Sequence, residues 1–521
     1  MYLFMQNYTF TPIKFVLFIT SMWNSLFKFA SMKLKIKGII ILLLLSNVAV
    51  VFAQVPNSKL DTAGITSQPL NLEQCIDYAL KNNIQIKQSE VNTEISDINL
   101  IQSQASLLPA LNGNVSHSYN FGRTIDRYTN QFAKQQVLSQ NMGVSADFTI
   151  FNGLQTINTI HQNRYLYLSN KYNVDKMKND ISLNVATAYL QILYNMESVE
   201  NARNQIGITT AQSERSKKLV DAGSIARGAY LDIMAQLATE ELNLTNAENQ
   251  LNISYLSLAQ LLNLPSAEGL HIVKPEINVE GQGLLVTNDA TQIYATALDV
   301  LPEIKSADLN IKSAEKGLDV AWGGLSPRLS LSAFYGTGYS GLAQRIKTYP
   351  EFLGYRPNGE ITSSNEQVLE PYVSDPTYEK TPFGNQYNDN INKSVGFYLT
   401  IPIFNRFQVR TNISRARMQV LSAELQLEST KLQVQKNVQQ ALADANAGLK
   451  KYYASTKAVE AIAESFKYTE QKFNVGIVNT NDYNDSKNKL IKAQSDLLQA
   501  KYEYVFKTKV LDFYQGKPLK L

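Results

Sequence analysis

Residues 143–153 read Gly143-Val144-Ser145-Ala146-Asp147-Phe148-Thr149-Ile150-Phe151-Asn152-Gly153, and residues 396–406 read Gly396-Phe397-Tyr398-Leu399-Thr400-Ile401-Pro402-Ile403-Phe404-Asn405-Arg406. In both, apolar side chains take every second position and the run closes on Phe-Asn, a period-two pattern that marks a strand with two unlike faces. The likeness continues outward. Residues 143–265 return as 396–518 without insertion or deletion, at a shift of 253, laying Ile160 on Ile413, Gly223 on Gly476, Tyr230 on Tyr483 and Asp232 on Asp485. An upstream block repeats at a shift of 218, pairing Ala79-Leu80 with Ala297-Leu298, Ile86-Lys87 with Ile304-Lys305, and Pro109 with Pro327. The shifts differ by 253 − 218 = 35 residues, so the one large length change lies between Leu111 and Gly143 in the first copy and between Leu329 and Gly396 in the second. Such a change is tolerated on a surface loop. A duplication of this extent predicts one elongated body with two matching halves.

Four segments alternate. In 111–121 the odd positions are Leu111, Gly113, Val115, His117, Tyr119 and Phe121, and the even ones are all Asn or Ser. Met142, Val144, Ala146, Phe148 and Ile150 form the next apolar row; Leu329, Leu331, Ala333 and Tyr335, then Val395, Phe397, Leu399, Ile401 and Ile403, form the others. The predicted strands run over about 109–121, 141–151, 327–339 and 394–404, with a long extracellular loop at 341–392. Strands of about ten residues, apolar on one side and polar on the other, suit an outer membrane. Open edges in hydrocarbon leave backbone groups unpaired, and the smallest such barrels have about eight strands, so four per chain require at least two chains. The 341–392 segment holds five of the 15 prolines and the aromatics Tyr349, Phe352, Tyr355, Tyr372, Tyr378, Phe383 and Tyr387, which are expected to pack it over or into the barrel mouth.

No proline interrupts 110–264 or 403–517. Within these stretches Ile181, Val185, Ala188 and Ile192, and in the second copy Val434, Val438, Ala441 and Ala445, mark one helical face. A helix over 154–220 is roughly 100 Å long at 1.5 Å per residue. Gly223 and Gly476 end these helices, and returning helices over 226–263 and 480–514 follow.

Lys33, Lys35 and Lys37 before the apolar run 38–52, closing on Val51-Phe52-Ala53, predict a secretory signal cleaved after Ala53. The residues before Met32 read as translation from an upstream start, with an uncleaved anchor as the alternative. The first 53 residues hold five lysines and no acid, so the remainder has 49 − 5 = 44 basic against 45 acidic residues and no nucleic-acid signature. Lone Cys75 excludes an intrachain disulfide, and His117, His161 and His271 show no ligand spacing. Gly336-x-Gly338-x-x-Gly341 spells a dinucleotide fingerprint but trails a strand into a proline-rich segment without the required helix, so small residues on a crowded lumen face explain it better. No catalytic set, metal cluster or cofactor motif is found. The parts are an extension plus signal (1–53), a linker (54–69), repeat one (70–265), a second linker (266–287), repeat two (288–518) and a tail (519–521).

Leu70-Asn71-Leu72-Glu73-Gln74, Ala79-Leu80-Lys81-Asn82-Asn83, Leu107-Leu108-Pro109, Phe151-Asn152-Gly153, Ile401-Pro402-Ile403-Phe404-Asn405 and the glycine turns, in this order and doubled, resemble the outer membrane efflux protein family, the TolC-like channel tunnels. The resemblance implies a mainly α fold with membrane β: two repeats of helix, strand, strand, long helix and helix. Its homotrimer builds a 12-stranded barrel in the outer membrane above a periplasmic α-barrel. It implies a passive exit duct for tripartite efflux or type I secretion, with a periplasmic adaptor, an inner-membrane RND or ABC-type pump and outer-membrane lipid as partners. A poreless periplasmic coiled-coil scaffold is the alternative. The family rings its periplasmic entrance with acids six and nine residues past the second glycine, here Asp482 and Asp485; acids there also suit a helix amino-terminal turn. The hairpin turns that would meet the adaptor carry Gly223, Gly476, Phe473, Val478 and Arg227. Phe473 and Val478 replace the family's Tyr and Arg of the closed-entrance lock, and Ala229 stands where copy one would need an acid. Arg227 is a candidate substitute for the lock, or simply a solvated arginine at a helix start. Amino-terminal sequencing of the exported protein is expected to begin at Gln54; a chain still carrying residues 33–53 would refute the signal reading.

Overall fold

The structure, a computed structural model, describes residues 69–521 other than 123, 127, 131, 134, 135, 276–288, 518, 520 and 521. The signal and its cleavage site lie outside the described residues.

Copy one comprises α1 (Leu72–Asn82), α2 (Ile84–Ala105), β1 (Ala110–Asn120), the short β2 (Thr124–Ile125) and β3 (Phe132–Ala133), β4 (Val137–Phe151), α3 (Gln155–Asp221) and α4 (Arg227–Leu261). Copy two comprises α5 (Ala290–Val300), α6 (Pro302–Gly323), β5 (Arg328–Ser340), β6 (Gln344–Thr348), β7 (Phe352–Ile361), β8 (Gln367–Val373), β9 (Thr377–Lys380), α7 (Phe383–Asp389), β10 (Asn392–Thr400), α8 (Gln408–Asn474) and α9 (Thr480–Tyr514). The long helices α3 and α8 have 67 residues each and the return helices α4 and α9 have 35 each. The two copies start and stop their helices alike by different chemistry. Asn71 opens α1 with a reciprocal capping box to Gln74, at 2.8 and 2.9 Å, and Asn83 caps α2 through the Gln85 amide. In copy two Asp289 caps α5, and Pro302 sits at the first turn of α6. Each strand-to-helix corner turns through two left-handed residues, Gly153-Leu154 at φ 67° and 63° and Arg406-Phe407 at φ 54° and 62°.

The four main strands form one antiparallel sheet in the order β1-β4-β5-β10, leaving β1 and β10 as its edges. Register keeps like with like: Leu111 faces Ala146, and Phe148 faces Leu331, which faces Phe397. The fourth strand is shorter than the sequence suggests. It ends at Thr400 rather than 404, because Pro402 has no N–H to give a ladder, and Ile403 is 95% exposed beyond it. The insertion also differs from a bare loop. β6 pairs with β9 and β7 with β8 as nested hairpins, and α7 docks on the end of β5, where the Gln386 side chain bonds both the N–H and the C=O of Ser340 at 2.9 and 3.0 Å. Its aromatic set stays largely at the surface: Phe383 lies 5.3 Å from Tyr339 and 4.3 Å from Tyr387, and Phe352 lies 5.3 Å from Tyr355, yet Tyr349, Phe352, Tyr355, Tyr372, Tyr378 and Phe383 are all exposed. Glycines at positive φ (Gly354, Gly359) and prolines break the alternation that would have marked these strands.

The apolar stripes form the helical core. Ile181, Val185 and Ile192 pack with Cys75, Ile86, Leu258 and Tyr502, and Ala188 packs partly buried beside them. Val434, Val438, Ala441 and Ala445 pack with Ile293, Ala297 and Leu511. Burial pushes the Cys75 thiol up to about 12, so it stays protonated inside this core.

Between the two helical hairpins the contact turns polar. Lys487 of α9 reaches the Glu240 carboxylate of α4 at 3.0 Å, Thr209 of α3 bonds both, and Gln236 adds a bond to Glu240 at 2.9 Å. Both charged side chains are only 4% exposed. A buried carboxylate that loses its cation keeps the whole desolvation penalty, whereas replacing both partners by apolar groups is often neutral. K487M is therefore expected to destabilise the fold by about 3–5 kcal/mol, with K487M/E240M recovering most of it. Thermal unfolding in detergent checks this; equal melting of the single and double variants would refute it.

Candidate functional site

The helices end at two matching turns. After α3 the Ser224 N–H returns to the Leu219 carbonyl and the Gly223 N–H to Val220, at 2.8 and 2.9 Å; after α8 the Ile477 N–H returns to Lys472 and the Gly476 N–H to Phe473, at 2.9 and 3.0 Å. This paired bonding needs a left-handed residue, and Gly223 and Gly476 supply φ of 73° and 80°. A Cβ at either would meet no neighbour, so conformation and not space demands glycine.

The second turn is the better built. Asn479 caps α9 by accepting from the Asp482 amide at 2.8 Å, while Ala226 gives α4 no such cap. Tyr483 is buried one residue on, stacked on Phe473 at 4.5 Å and tilted against Phe466 at 5.5 Å. Burial pushes its hydroxyl up to about 12, with Glu470 and Glu240 adding to the rise, so it stays neutral. Phe473 thus packs inside hairpin two rather than reaching across to hairpin one. Val478, just before the cap, is half-buried. Asp482 and Asp485 flank Tyr483 on the exposed side of α9, and Asp485 carries Lys489 at 2.6 Å, one turn on. An exposed pair of this kind is weak and yields to stronger neighbours.

Arg227, the first residue of α4, is exposed. The guanidinium that crosses between hairpins near the turns belongs to Arg215, whose Nη1 donates to Asn474 Oδ1 at 2.7 Å. Sequence reading passed over Arg215 and Lys487, because each sits within a polar helix and only the three-dimensional partner distinguishes it. Among the described residues no group of His, Cys, Asp and Glu converges to hold a metal ion.

The sheet has its own missed residue. Gly143, Gly336, Gly338 and Gly396 all lie on the face that carries Asn, Ser and Asp, as the register of β1-β4-β5-β10 places them. Each carries an aromatic ring: Phe334 covers Gly143 and Gly336, Tyr128 covers Gly338, and Tyr398 covers Gly396. Phe334 and Tyr398 break the parity of their strands, an aromatic where a polar side chain is due, and that departure was the available signal. Gly336 and Gly338, two of the three fingerprint glycines, are part of this crowding. At the opposite end of the sheet Ile403, Phe404 and Phe407 form an exposed apolar corner, as expected of residues at a membrane boundary.

Residues 75–264 and 293–516 match the outer membrane efflux protein family, one segment per structural repeat. The chain is 22% identical over 445 residues to outer membrane protein TolC of Escherichia coli strain K12, covering 84% of this chain and 80% of that protein. Among solved structures it resembles the outer membrane protein VceC from Vibrio cholerae, with a TM-score of 0.68, 13% identity and coverage of 86% and 97%. It likewise resembles the Campylobacter jejuni CmeC outer membrane channel, with a TM-score of 0.67, 15% identity and 85% coverage of each chain. None of these three likenesses is to a poreless scaffold. With both repeats matched and the channel architecture present, the chain belongs to the outer membrane efflux protein family, a family of channel proteins of the outer membrane.

Proposed function

We propose that three copies of the chain close into one water-filled duct, a 12-stranded barrel in the outer membrane continued by an α-barrel in the periplasm. The observation that carries this is the open sheet: β1 and β10 are unpaired edges on a ribbon whose outer face is apolar. In lipid those edges must find strands, and the remaining partners are the edges of further copies. Four strands from each of three chains match the family's barrel.

The helices support the same closure. Within the chain the neighbours run α2-α3-α6-α8, so α3 of copy one lies against α6 of copy two. Shifted by one repeat, that contact becomes α8 against α2 of the next chain. Both carry the exposed apolar stripe such a contact needs, Val91, Ile95 and Ile98 on α2 and Met418, Leu421 and Leu425 on α8. The assembly is heterologous and closes as a ring.

At the far end the hairpin turns form the entrance. Asp482 and Asp485 of three chains gather six carboxylates there, attracting cations and divalent ions as rings of acids do in other channels. Gly223, Gly476, Phe473, Val478 and Arg227 shape the turns that meet a periplasmic adaptor. Arg215 with Asn474, and deeper Lys487 with Glu240, hold hairpin two to hairpin one where the family's polar lock is missing. The duct is passive. An inner-membrane RND or ABC-type pump supplies the energy and the choice of cargo, for efflux or for type I secretion.

Unheated outer-membrane samples are expected to run as a trimer that collapses to monomer on boiling, and the trimer is expected to conduct in planar bilayers; a protein soluble without detergent would refute the duct. D482A/D485A is expected to lose most of the preference for cations and of the block by divalent ions. Reversal potentials across a salt gradient read this directly, and unchanged selectivity would remove these acids from the constriction.

A further inference from the structure

The polar face of the sheet is where a channel would be wet, and there an exposed aromatic ring stands out chemically. Gly143 of β4 and Gly336 of β5 are direct cross-strand partners, so together they leave a bare patch of backbone. The ring of Phe334 lies across both: a Cβ on Gly143 would meet its Cζ at 2.6 Å, and one on Gly336 at 2.5 Å. No other residue type allows this seat. The ring therefore leans along the wall, with its far edge over the two glycines and 37% of the residue still exposed.

Its surroundings are small and hydrophilic. Across the ladder Phe334 is flanked by Ser145 on β4 and Ser394 on β10. The exposed Asp147, whose carboxylate accepts from the Ser332 hydroxyl, lies on the same face but on the other side of Phe334 from the glycine seat, four residues and about 13 Å along β4 from Gly143. The ring attracts positive charge through its quadrupole, and the carboxylate further along the same face adds negative potential without touching what the ring holds. Tyr398, seated against Gly396, adds a second ring on the neighbouring strand.

We propose that Phe334, on its glycine seat, is a binding platform for organic cations with apolar or aromatic bodies as they pass along the pore wall. This rests on the reading of the polar face as the lining of a duct. The ring offers contact to the apolar body and, through its quadrupole, to the charge, and exposure keeps the interaction weak enough for release. The bland reading is that an aromatic ring merely shields paired glycine backbone, a known stabilising device in sheets. Any bulky apolar side chain would approximate that role, whereas a cation platform needs the π face.

The test uses the full-length trimer in planar bilayers with tetraphenylphosphonium as the probe, read as the concentration that halves single-channel current. Wild type is expected to be blocked. F334L, which keeps apolar bulk and loses the ring, is expected to need about five- to tenfold more probe, and F334Y is expected to behave like wild type. G143A, whose new methyl displaces the ring from its seat, is expected to weaken block as well and serves if F334L does not assemble. Channels that conduct but are blocked equally in wild type, F334L and G143A, or not at all in wild type, would overturn the platform and leave the duct standing. A wild-type trimer without conductance would remove both.

Discussion

Hydrocarbon offers no hydrogen bonds, and a sheet edge placed in it must therefore be paired by protein. The β1-β4-β5-β10 ribbon has its apolar face outward and both edges open, so a single chain is an incomplete object in the membrane. Nearly everything else follows from completing it. The insertions are confined to the β1-β4 and β5-β10 connections at one end of the strands, where length is free. At the other end the chain turns through paired left-handed residues into helices that carry the same closure downward.

The helical part solves a related problem in water. A 67-residue helix cannot be buried all round in one chain, so α3 and α8 bury a seam and leave their other faces polar or waiting. Duplication makes the waiting face predictable. The α3 face that meets α6 within the chain recurs on α8, and the α6 face recurs on α2, each with apolar side chains still exposed. In the proposed trimer one interface would be used once inside the chain and once between chains, which is what a ring built from a tandem repeat requires.

Departures from strict repetition mark where the two halves do different work. Copy two has the capped turn, Asp482 and the Tyr483 stack; copy one has an uncapped turn and Ala229 in place of Asp482, although Asp232 repeats Asp485. The ties between hairpins, Arg215 to Asn474 and Lys487 to Glu240, are also unrepeated, because each joins one copy to the other. In the sheet, glycine and aromatic side chains replace the expected polar ones on the wall, and they do so mainly on β5 and β10.

The amino-acid sequence by itself determined the architecture. Period-two and helical periodicities are local consequences of which face is wet, and the shifts of 253 and 218 lay whole elements on one another, so strands, long helices and glycine turns were legible to within a few residues. It also placed Asp482 and Asp485 on one exposed helical side. Where local rules compete, legibility stopped: Pro402 ended β10 at Thr400 despite continued alternation, and the hairpins β6-β9 and β7-β8 lay hidden among glycines and prolines. Only the tertiary structure decided which side chains meet. Lys487 and Glu240 are 247 positions apart, Arg215 and Asn474 are 259 apart, and the seat of Phe334 needs a glycine from another strand. Such contacts depend on how separate elements are brought together, and no periodicity along one segment records that.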